Sequence, residues 1–336
     1  MSDRGGRPVT RLGLQIPSFT YPGISDRDLF ERVGQIAGTA EGAGFDSLWV
    51  MDHLYQIRGV GQRTEPMLEA YTLLGAIAAR TSRARLGVMV TGVTYRNPAL
   101  LAKIVTTLDV ISSGRAILGI GAAWNDEEHR GYGFDFPTPG ERLERLEEAV
   151  QICRAMFTEE APTYQGKHYR IEEALNFPRP VQPGGPPILI GGGGERKTLR
   201  LVARYADACN LFGDAPTIRH KLDVLARHCD DVGRDPAEIT KTRLGTIVIA
   251  PTNEEAHRKA EEMRVARGLS EEWFRTYTIG GPAEVVEQAR TLLDAGLDGL
   301  IFNMRDAHEL EPVALAGGAL SKAWPRPGTA SRRLDC

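Results

Sequence analysis

Cysteine is scarce in this sequence, with 4 cysteines among 336 residues, at positions 153, 209, 229 and 336. They lie far apart and show no CxxC spacing, which favours a reducing compartment over a disulfide framework. Hydrophobic runs are short, and none approaches the roughly 18 apolar residues that a membrane span needs. Residues 1–9 also lack the apolar segment of a signal peptide. These absences predict a cytoplasmic protein without a membrane partner.

A strong charge of either sign is also missing. The chain has 41 Lys and Arg against 44 Asp and Glu, so its net charge is only −3. No basic block is interleaved with aromatic residues, and a nucleic-acid partner is therefore not expected. His129, His168 and His257 show no metal-ligand spacing, and no GxSxG motif occurs. Metal-assisted hydrolysis and acyl transfer are accordingly not predicted, and no metal is expected.

Strands and helices alternate along most of the chain, because short β-branched or apolar runs are each followed by a segment of helical period. The predicted strands are 11–16, 47–51, 85–91, 115–120, 188–190, 208–212, 244–250 and 299–302. The predicted helices are 29–40, 67–79, 97–111, 140–157, 198–205, 218–232, 253–262, 283–295 and 310–322. Right-handed crossovers between parallel strands would close them into a (β/α)8 TIM barrel of the α/β class. A doubly wound open sheet is the competing architecture.

The predicted domain organisation is a single barrel over residues 1–324, followed by a flexible tail at 325–336. Two excursions interrupt the alternation, at about 158–187 and 265–280. The first contains a possible hairpin at 164–169. Both excursions are expected at the C-terminal face of the barrel, where they would flank the mouth and shape a substrate pocket.

Polar residues gather at the ends of the second and third predicted strands, and in a TIM barrel these ends carry the active site. Asp52 and His53 directly follow the second strand, and a histidine there can transfer a proton near neutral pH. A capping aspartate beside a structural histidine is the alternative interpretation. Tyr95 and Arg96 follow the third strand, and a helix start alone does not explain them.

Small residues mark the ends of the fourth and fifth strands. Residues 119–123 read GIGAA, which leaves room for a flat ring, although tight barrel packing explains them equally well. Residues 191–194 are four glycines before a helix, and their backbone N–H groups can hold a phosphate. They match neither a P-loop nor a GxGxxG fingerprint, and a flexible loop is the alternative.

Taken in order, these segments resemble the luciferase-like monooxygenase superfamily, and within it the F420-dependent oxidoreductases of actinobacteria. The resemblance rests on residues 44–53 (GFDSLWVMDH), 92–99 (GVTYRNPA), 108–109 (LD), 113–115 (SGR), 119–124 (GIGAAW), 191–195 (GGGGE) and 280–283 (GGPA). It spans about residues 12–303 and implies a TIM barrel that binds the deazaflavin coenzyme F420.

The resemblance also implies roles for particular residues. It makes Asp52 a contact of the cofactor ring and His53 the proton-transfer residue, with help from Tyr95. It places a cis peptide bond between Met89 and Val90, forming a bulge behind the ring. The remaining implied cofactor contacts are Thr91, Ala122, Ala123, Gly191, Gly192, Gly193, Gly194, Glu195 and Arg196.

The function that this resemblance implies is hydride transfer between reduced F420 and an activated C=C, C=N or carbonyl group of a small molecule. Sugar-phosphate oxidation is not expected, because Trp124 stands where the sugar-phosphate members have an acidic residue. The alternatives are an FMN-dependent two-component monooxygenase served by a separate reductase, and a flavin-binding barrel without turnover. The resemblance further implies a homodimer that buries the helices after the second and third strands, including residues 71–79.

Overall fold

Eight parallel strands close into a barrel in this computed structural model, which describes residues 9–324 apart from the side chain of Trp273. The described strands are β1 Leu12–Ile16, β2 Ser47–Val50, β3 Arg85–Val88, β4 Thr91–Gly92, β5 Ala116–Gly121, β6 Tyr164–Gln165, β7 Arg170–Ile171, β8 Ile188–Gly191, β9 Ala208–Leu211, β10 Thr240–Ile249, β11 Thr278–Gly280 and β12 Gly299–Asn303. The barrel order is β1, β2, β3, β5, β8, β9, β10 and β12. Leu12 of β1 pairs with Leu300 of β12, and this pairing closes the ring.

Helices cover the outside of the barrel. They are α1 Leu29–Ala43, α2 Ala70–Ala78, α3 Pro98–Ile111, α4 Asp126–Tyr132, α5 Pro139–Thr158, α6 Thr198–Tyr205, α7 Ala215–Val232, α8 Asn253–Ala266, α9 Glu271–Phe274, α10 Pro282–Leu293 and α11 Glu311–Leu320. Among them, none is long and apolar enough to cross a bilayer, as far as the described chain extends.

The predicted alternation is confirmed, and the open doubly wound sheet is wrong because β1 and β12 pair. The third predicted strand is divided: β3 ends at Val88, and β4 begins after a cis peptide bond between Met89 and Val90. The seventh strand, β10, begins four residues before its predicted start. Helix α4 was not predicted, and α8 continues into the second excursion.

The inside of the barrel is filled rather than open. Trp49 is fully buried there with Met89, Ile117, Leu189 and Ile301. Glycine makes room for its indole, because a Cβ at position 87 would lie 2.6 Å from the ring. Water therefore has no path along the axis, and the C-terminal end is the side where a ligand can enter.

The first excursion does not flank the mouth, which corrects the prediction made for it. Its hairpin, β6 with β7, lies against α5, where Glu148 accepts hydrogen bonds from the backbone of residues 167–169. Further on, the side-chain amide of Gln182 donates to the carbonyl of Ala116, the first residue of β5. The excursion thus covers the outer surface and the N-terminal end of the barrel.

The second excursion does reach the C-terminal end. Strand β11 pairs in parallel with the last three residues of β10, beyond the barrel itself. The guanidinium of Arg243 donates to the carbonyls of Gly213 and Thr276 and so joins the turn after β9 to this excursion. The predicted tail, 325–336, lies outside the described residues.

Candidate active site

A cavity of about 350 Å³ opens at the C-terminal ends of β2, β4, β5, β8 and β9. It is lined by Asp52, His53, Met89, Val90, Thr91, Gly92, Tyr95, Gly121, Ala122, Ala123, Trp124, Gly191, Gly192, Gly193, Gly194, Thr198, Asn210 and Phe212. The fold therefore brings together every predicted site residue except Glu195 and Arg196. These residues come from five separate segments of the chain, so only barrel closure places them side by side.

The floor of the cavity is the bulge at Val90. The side chain of Val90 fits between Gly121 and Gly191, since a Cβ at either glycine would lie 2.8 Å from its methyl groups. The bulge is held from below by Gln15, whose side-chain amide donates to the Met89 carbonyl at 2.9 Å. An apolar bulge between two glycines makes a flat surface of the kind that a ring system can lie against.

The glycine segment before α6 is shaped for close backbone approach. Gly192 has a φ of 124°, which L side chains rarely adopt, and a Cβ at Gly194 would lie 2.8 Å from the Thr198 hydroxyl. Helix α6 begins at Thr198, so its free N–H groups point toward this segment. The combination can hold a phosphate at the helix N-terminus.

Glu195 and Arg196, the other two predicted cofactor contacts, do not line the cavity. Glu195 pairs instead with Lys221 and His220 of α7. The hydrogen bond from Lys221 lowers the pKa of the Glu195 carboxyl, so it stays ionised. An anionic side chain beside a phosphate would be repulsive, and this ion pair removes that conflict.

His53 is oriented by a buried carboxylate that the sequence analysis missed. The Nδ1 atom of His53 lies 2.9 Å from Oε2 of Glu128, whose side chain is 0% exposed. The same carboxylate accepts hydrogen bonds from the backbone N–H groups of Leu54 and Tyr55 and from the hydroxyl of Tyr95. Burial raises the pKa of Glu128, but the hydrogen bond and the charge of His53, together with these donors, outweigh burial and lower it.

An ionised Glu128 holds a proton on Nδ1 of His53 and leaves Nε2 for chemistry. Within the described chain, Nε2 has no hydrogen-bond partner, while the ring lies edge-on to Trp124 with centroids 5.4 Å apart. Nε2 can therefore accept a proton from, or donate one to, a molecule in the cavity.

Helix α4 carries Glu128, and its start has a recognisable signal. The Asn125 side chain accepts a hydrogen bond from the N–H of Glu127, and acidic residues follow in the first turn. His129, also on α4, is fully buried, and its Nε2 is 2.7 Å from the Thr94 hydroxyl. This contact docks α4 onto the loop after β4 and so determines where Glu128 sits.

Asp52 forms a bidentate ion pair with Arg96. Its two carboxylate oxygens accept hydrogen bonds from Arg96 at 2.7 and 3.0 Å, and the N–H of Gly92 also donates to it. Burial raises the pKa of the Asp52 carboxyl, and the Arg96 guanidinium opposes that shift. Arg96 also pairs with Glu69 and lies over the ring of Tyr71. This arrangement ties the end of β2 to β4 and supports the bulge.

Tyr95 is likewise held in place. Its hydroxyl donates to Glu128 at 2.7 Å, and burial together with that hydrogen bond raises the pKa of the phenol. Tyr95 therefore stays protonated and supports Glu128.

Two aromatic side chains form the open sides of the cavity. Trp124 is 61% exposed and Phe212 is 56% exposed, although both line the cavity. Ala123 has a φ of 59°, the left-handed region that alanine rarely occupies, and this turn directs the chain toward Trp124. Exposed aromatic surface beside His53 is suited to an apolar organic molecule.

A filled barrel with a flat cavity, a glycine-rich helix start and a buried His–Glu pair at its mouth defines a cofactor-dependent enzyme of the TIM-barrel class. Within residues 9–324, no group of three or more His, Cys, Asp or Glu is arranged to hold a metal ion. The chain belongs to the luciferase-like monooxygenase family, whose model matches residues 11–276.

Individual relatives agree with this assignment. An F420-dependent glucose-6-phosphate dehydrogenase of Kineococcus radiotolerans is 30% identical over 330 residues, which cover 90% of this chain and 93% of the relative. A solved monooxygenase from Streptomyces bottropensis has a TM-score of 0.78 at 21% identity, covering 94% of this chain and 100% of that chain. The coenzyme F420-dependent tetrahydromethanopterin reductase of Methanopyrus kandleri has a TM-score of 0.77 at 18% identity, covering 94% of this chain and 99% of that chain. These two solved structures share the fold of this chain.

Proposed function

We propose that this protein is an F420-dependent oxidoreductase that transfers hydride between the deazaflavin and an organic substrate with an activated C=C, C=N or carbonyl group. The observation that carries the proposal is the juxtaposition of a flat floor at Val90 with a histidine whose Nε2 is free for proton transfer. Relatives that align along 90% of the chain and carry F420 in their names support the same cofactor.

The cavity fits the cofactor in two respects. The apolar bulge at Val90, between Gly121 and Gly191, matches a flat tricyclic ring, and the segment around Gly192 matches a phosphate. A side chain at Gly192 or Gly194 would fill the space that the phosphate needs. When bound, F420 supplies the carbon that donates or accepts the hydride.

The chain itself supplies orientation and a proton. His53 presents Nε2 to the substrate atom that gains or loses a proton when hydride moves to or from the neighbouring carbon. Glu128 stabilises the imidazolium that exists before donation or after acceptance. Trp124 and Phe212 limit access of water to the reacting atoms. Asp52 positions the bulge, and Tyr95 positions the Glu128 carboxylate.

A sugar phosphate is not the substrate that these residues favour. Residues 121–125 read GAAWN, and the side chain that reaches the cavity beside His53 is the indole of Trp124. No carboxylate from that segment is available to act as a second proton carrier. The aromatic walls favour a less polar molecule than a glucose phosphate.

The test is an equilibrium titration of the purified protein with F420 and, separately, with FMN. We expect micromolar or tighter binding to F420 and much weaker binding to FMN. The Gly192→Ala variant should lose at least about tenfold in F420 affinity, because its Cβ enters the phosphate position. Gly184→Ala is the matched control, because Gly184 also has a positive φ but lies in open space at the opposite end of the barrel.

Preference for FMN, with oxygen consumed in step with product, would instead identify a two-component monooxygenase that needs a reductase partner. Binding of F420 without product from any unsaturated acceptor would favour a non-catalytic barrel. A His53→Ala protein with full turnover would contradict the proton-transfer role.

We also infer a homodimer, and the apolar surface on the outer face of α3 supports it. Leu100 and Ile111 of α3 are exposed beside the exposed Phe177 and Val181 of the first excursion. The apolar side chains of α2 instead face the chain's own core, so α2 contributes less than predicted. Mass measurement in solution should give twice 36.8 kDa, and a Leu100→Glu, Ile111→Glu variant should be monomeric.

A further inference from the structure

A second cavity, of about 710 Å³, lies at the C-terminal end of the barrel, on the side of the loop after β2. Its lining comes from that loop, from α4 and from the end of α8. The residues that matter for its charge are Arg58, Arg63, Glu65, Glu127 and Arg267. We call it the arginine cavity. It is polar, whereas the cavity beside His53 is largely apolar, and nothing in the proposed hydride transfer uses it.

The carboxylates of the arginine cavity are occupied. Glu127 pairs with Arg63 at 2.9 Å, and Arg63 also lies over the ring of Tyr55. Glu65 accepts hydrogen bonds from the Thr20 hydroxyl and from the backbone of residue 62. Neither carboxylate is paired with the two remaining guanidinium groups.

Arg58 and Arg267 are the remaining cations. In the described part of the chain, the side chains of both are exposed and make neither a hydrogen bond nor an ion pair. A guanidinium is a planar fork of donors that suits carboxylate and phosphate oxygens. Two such groups in one cavity therefore leave unused donors that face an open space.

A third cation, Arg305, does not line the arginine cavity but interacts electrostatically with Arg267. Arg305, directly beyond β12, is only 8% exposed and donates to the Tyr277 hydroxyl at 3.0 Å. Among residues 9–324 its Nη1 atom has no hydrogen-bond partner, and the structure gives it no carboxylate. Burial lowers the pKa of Arg305, the Tyr277 hydroxyl opposes that shift, and the charge of Arg267 adds to it. Buried cations normally have anionic partners, because an unpaired one is unfavourable.

The arginine cavity is within reach of the reacting centre. Gln56 lines it, and His53 lines the cofactor cavity, only three residues earlier in the chain. Three residues span at most about 11 Å. The loop after β2 therefore runs directly from the cofactor cavity to the arginine cavity.

We propose that the arginine cavity binds the anionic group of the substrate, a carboxylate or a phosphate, through Arg58 and Arg267. The substrate class is then an organic anion whose unsaturated or carbonyl carbon reaches His53 while its charged group lies in the arginine cavity. This substrate assignment rests on the proposed function, whereas the anion site itself does not.

The test is calorimetric titration of the F420-loaded protein with glutarate and, separately, with inorganic phosphate at low ionic strength. Loading fills the glycine segment before α6, so the heat reports on the arginine cavity. We expect saturable binding that weakens at least tenfold in the Arg58→Ala, Arg267→Ala double variant. Arg130→Ala is the matched control, because Arg130 is an exposed arginine of α4 already paired with Asp126; it should bind like the wild type.

Binding of glutarate alone identifies carboxylate substrates, and binding of phosphate alone identifies phosphorylated ones. No saturable binding by the wild type, or equal binding by the double variant, would overturn the anion site. Fluorescence titration with F420 keeps the two proposals apart, because the double variant should bind F420 normally. If no protein binds F420, the proposed function fails, and the same comparison on the unloaded proteins still reports on the arginine cavity.

Discussion

Glu128 and Asp109 are two carboxylates buried to the same extent, 0% exposed, at opposite ends of the barrel. Asp109, at the N-terminal end, accepts hydrogen bonds from the N–H groups of Val181 and Gln182 and from the Gln182 side chain. Its partners are all amides, which neither gain nor lose protons at ordinary pH.

Glu128, at the C-terminal end, has a mixed set of partners. Two are backbone N–H groups, but the other two are His53 and Tyr95, which can carry or release protons. A buried carboxylate therefore anchors a loop at one end of the barrel and contacts two proton-carrying side chains at the other. The two carboxylates are equally buried and differ in the chemistry of their partners, and partners that can exchange protons are those expected of a functional carboxylate.

The largest expected difference between the two concerns catalysis. Glu128→Gln should lower kcat by about 10²-fold, because the amide no longer stabilises the charged form of His53. F420 affinity should change little, since Glu128 lies outside the cavity lining. Steady-state kinetics at a series of pH values should show a lower kcat and a shift in the pH range over which kcat changes. An unchanged pH profile would assign Glu128 a purely structural role.

Asp109→Asn should have the opposite pattern, with stability lost and catalysis kept. Its side-chain amide would face N–H donors, leaving buried groups unsatisfied, and we expect a loss of about 1–3 kcal/mol in the free energy of unfolding. Denaturant unfolding measures this change, and kcat of the folded variant should equal that of the wild type. Asp223→Asn, at an exposed site on α7, should change stability by less than about 0.5 kcal/mol. A loss of kcat in Asp109→Asn would contradict a purely structural role for Asp109.

The smallest expected effect is a pH dependence of stability at Glu128. Its pKa is lowered in the folded protein, so its contribution is complete above the ordinary glutamate pKa of about 4.3 and is lost as pH falls through the lower folded value. The free energy of unfolding of the wild type should therefore exceed that of Glu128→Gln by about 1 kcal/mol at pH 7, and by less below pH 4. Unfolding of both proteins at a series of pH values checks this; a difference that stays constant would be inconsistent with an ionised Glu128.

Most of the fold could be predicted because hydrophobic periodicity is a local property. Strands such as β2 and helices such as α3 were placed within one to three residues of their bounds. The start of β10 was missed because Thr240 and Lys241 are polar, and only their pairing with β9 shows that they belong to the strand. Helix α4 was missed because it is short and strongly charged, and its burial depends on His129 and Glu128 docking beneath the loop after β4.

The candidate site was predicted in part. Residues next to strand ends, such as His53 and Val90, were found because their position follows from the strand itself. The position of the Glu195 side chain outside the cavity lining was not predicted, because a motif does not say which way a side chain turns, and its partner Lys221 lies 26 positions further along the chain. Glu128 lies 75 positions from His53, and the sequence contains no local sign of their contact.

By itself, the sequence determined the alternation of elements, the barrel class, the family and the strand ends that carry chemistry, because each depends on periodicity or on short contiguous motifs. Only the tertiary structure decided which carboxylate orients His53, where the two excursions lie, and that Arg58 and Arg267 line one cavity. Those relations join residues that are distant along the chain, and they exist only because closing the barrel brings the ends of different strands to one rim.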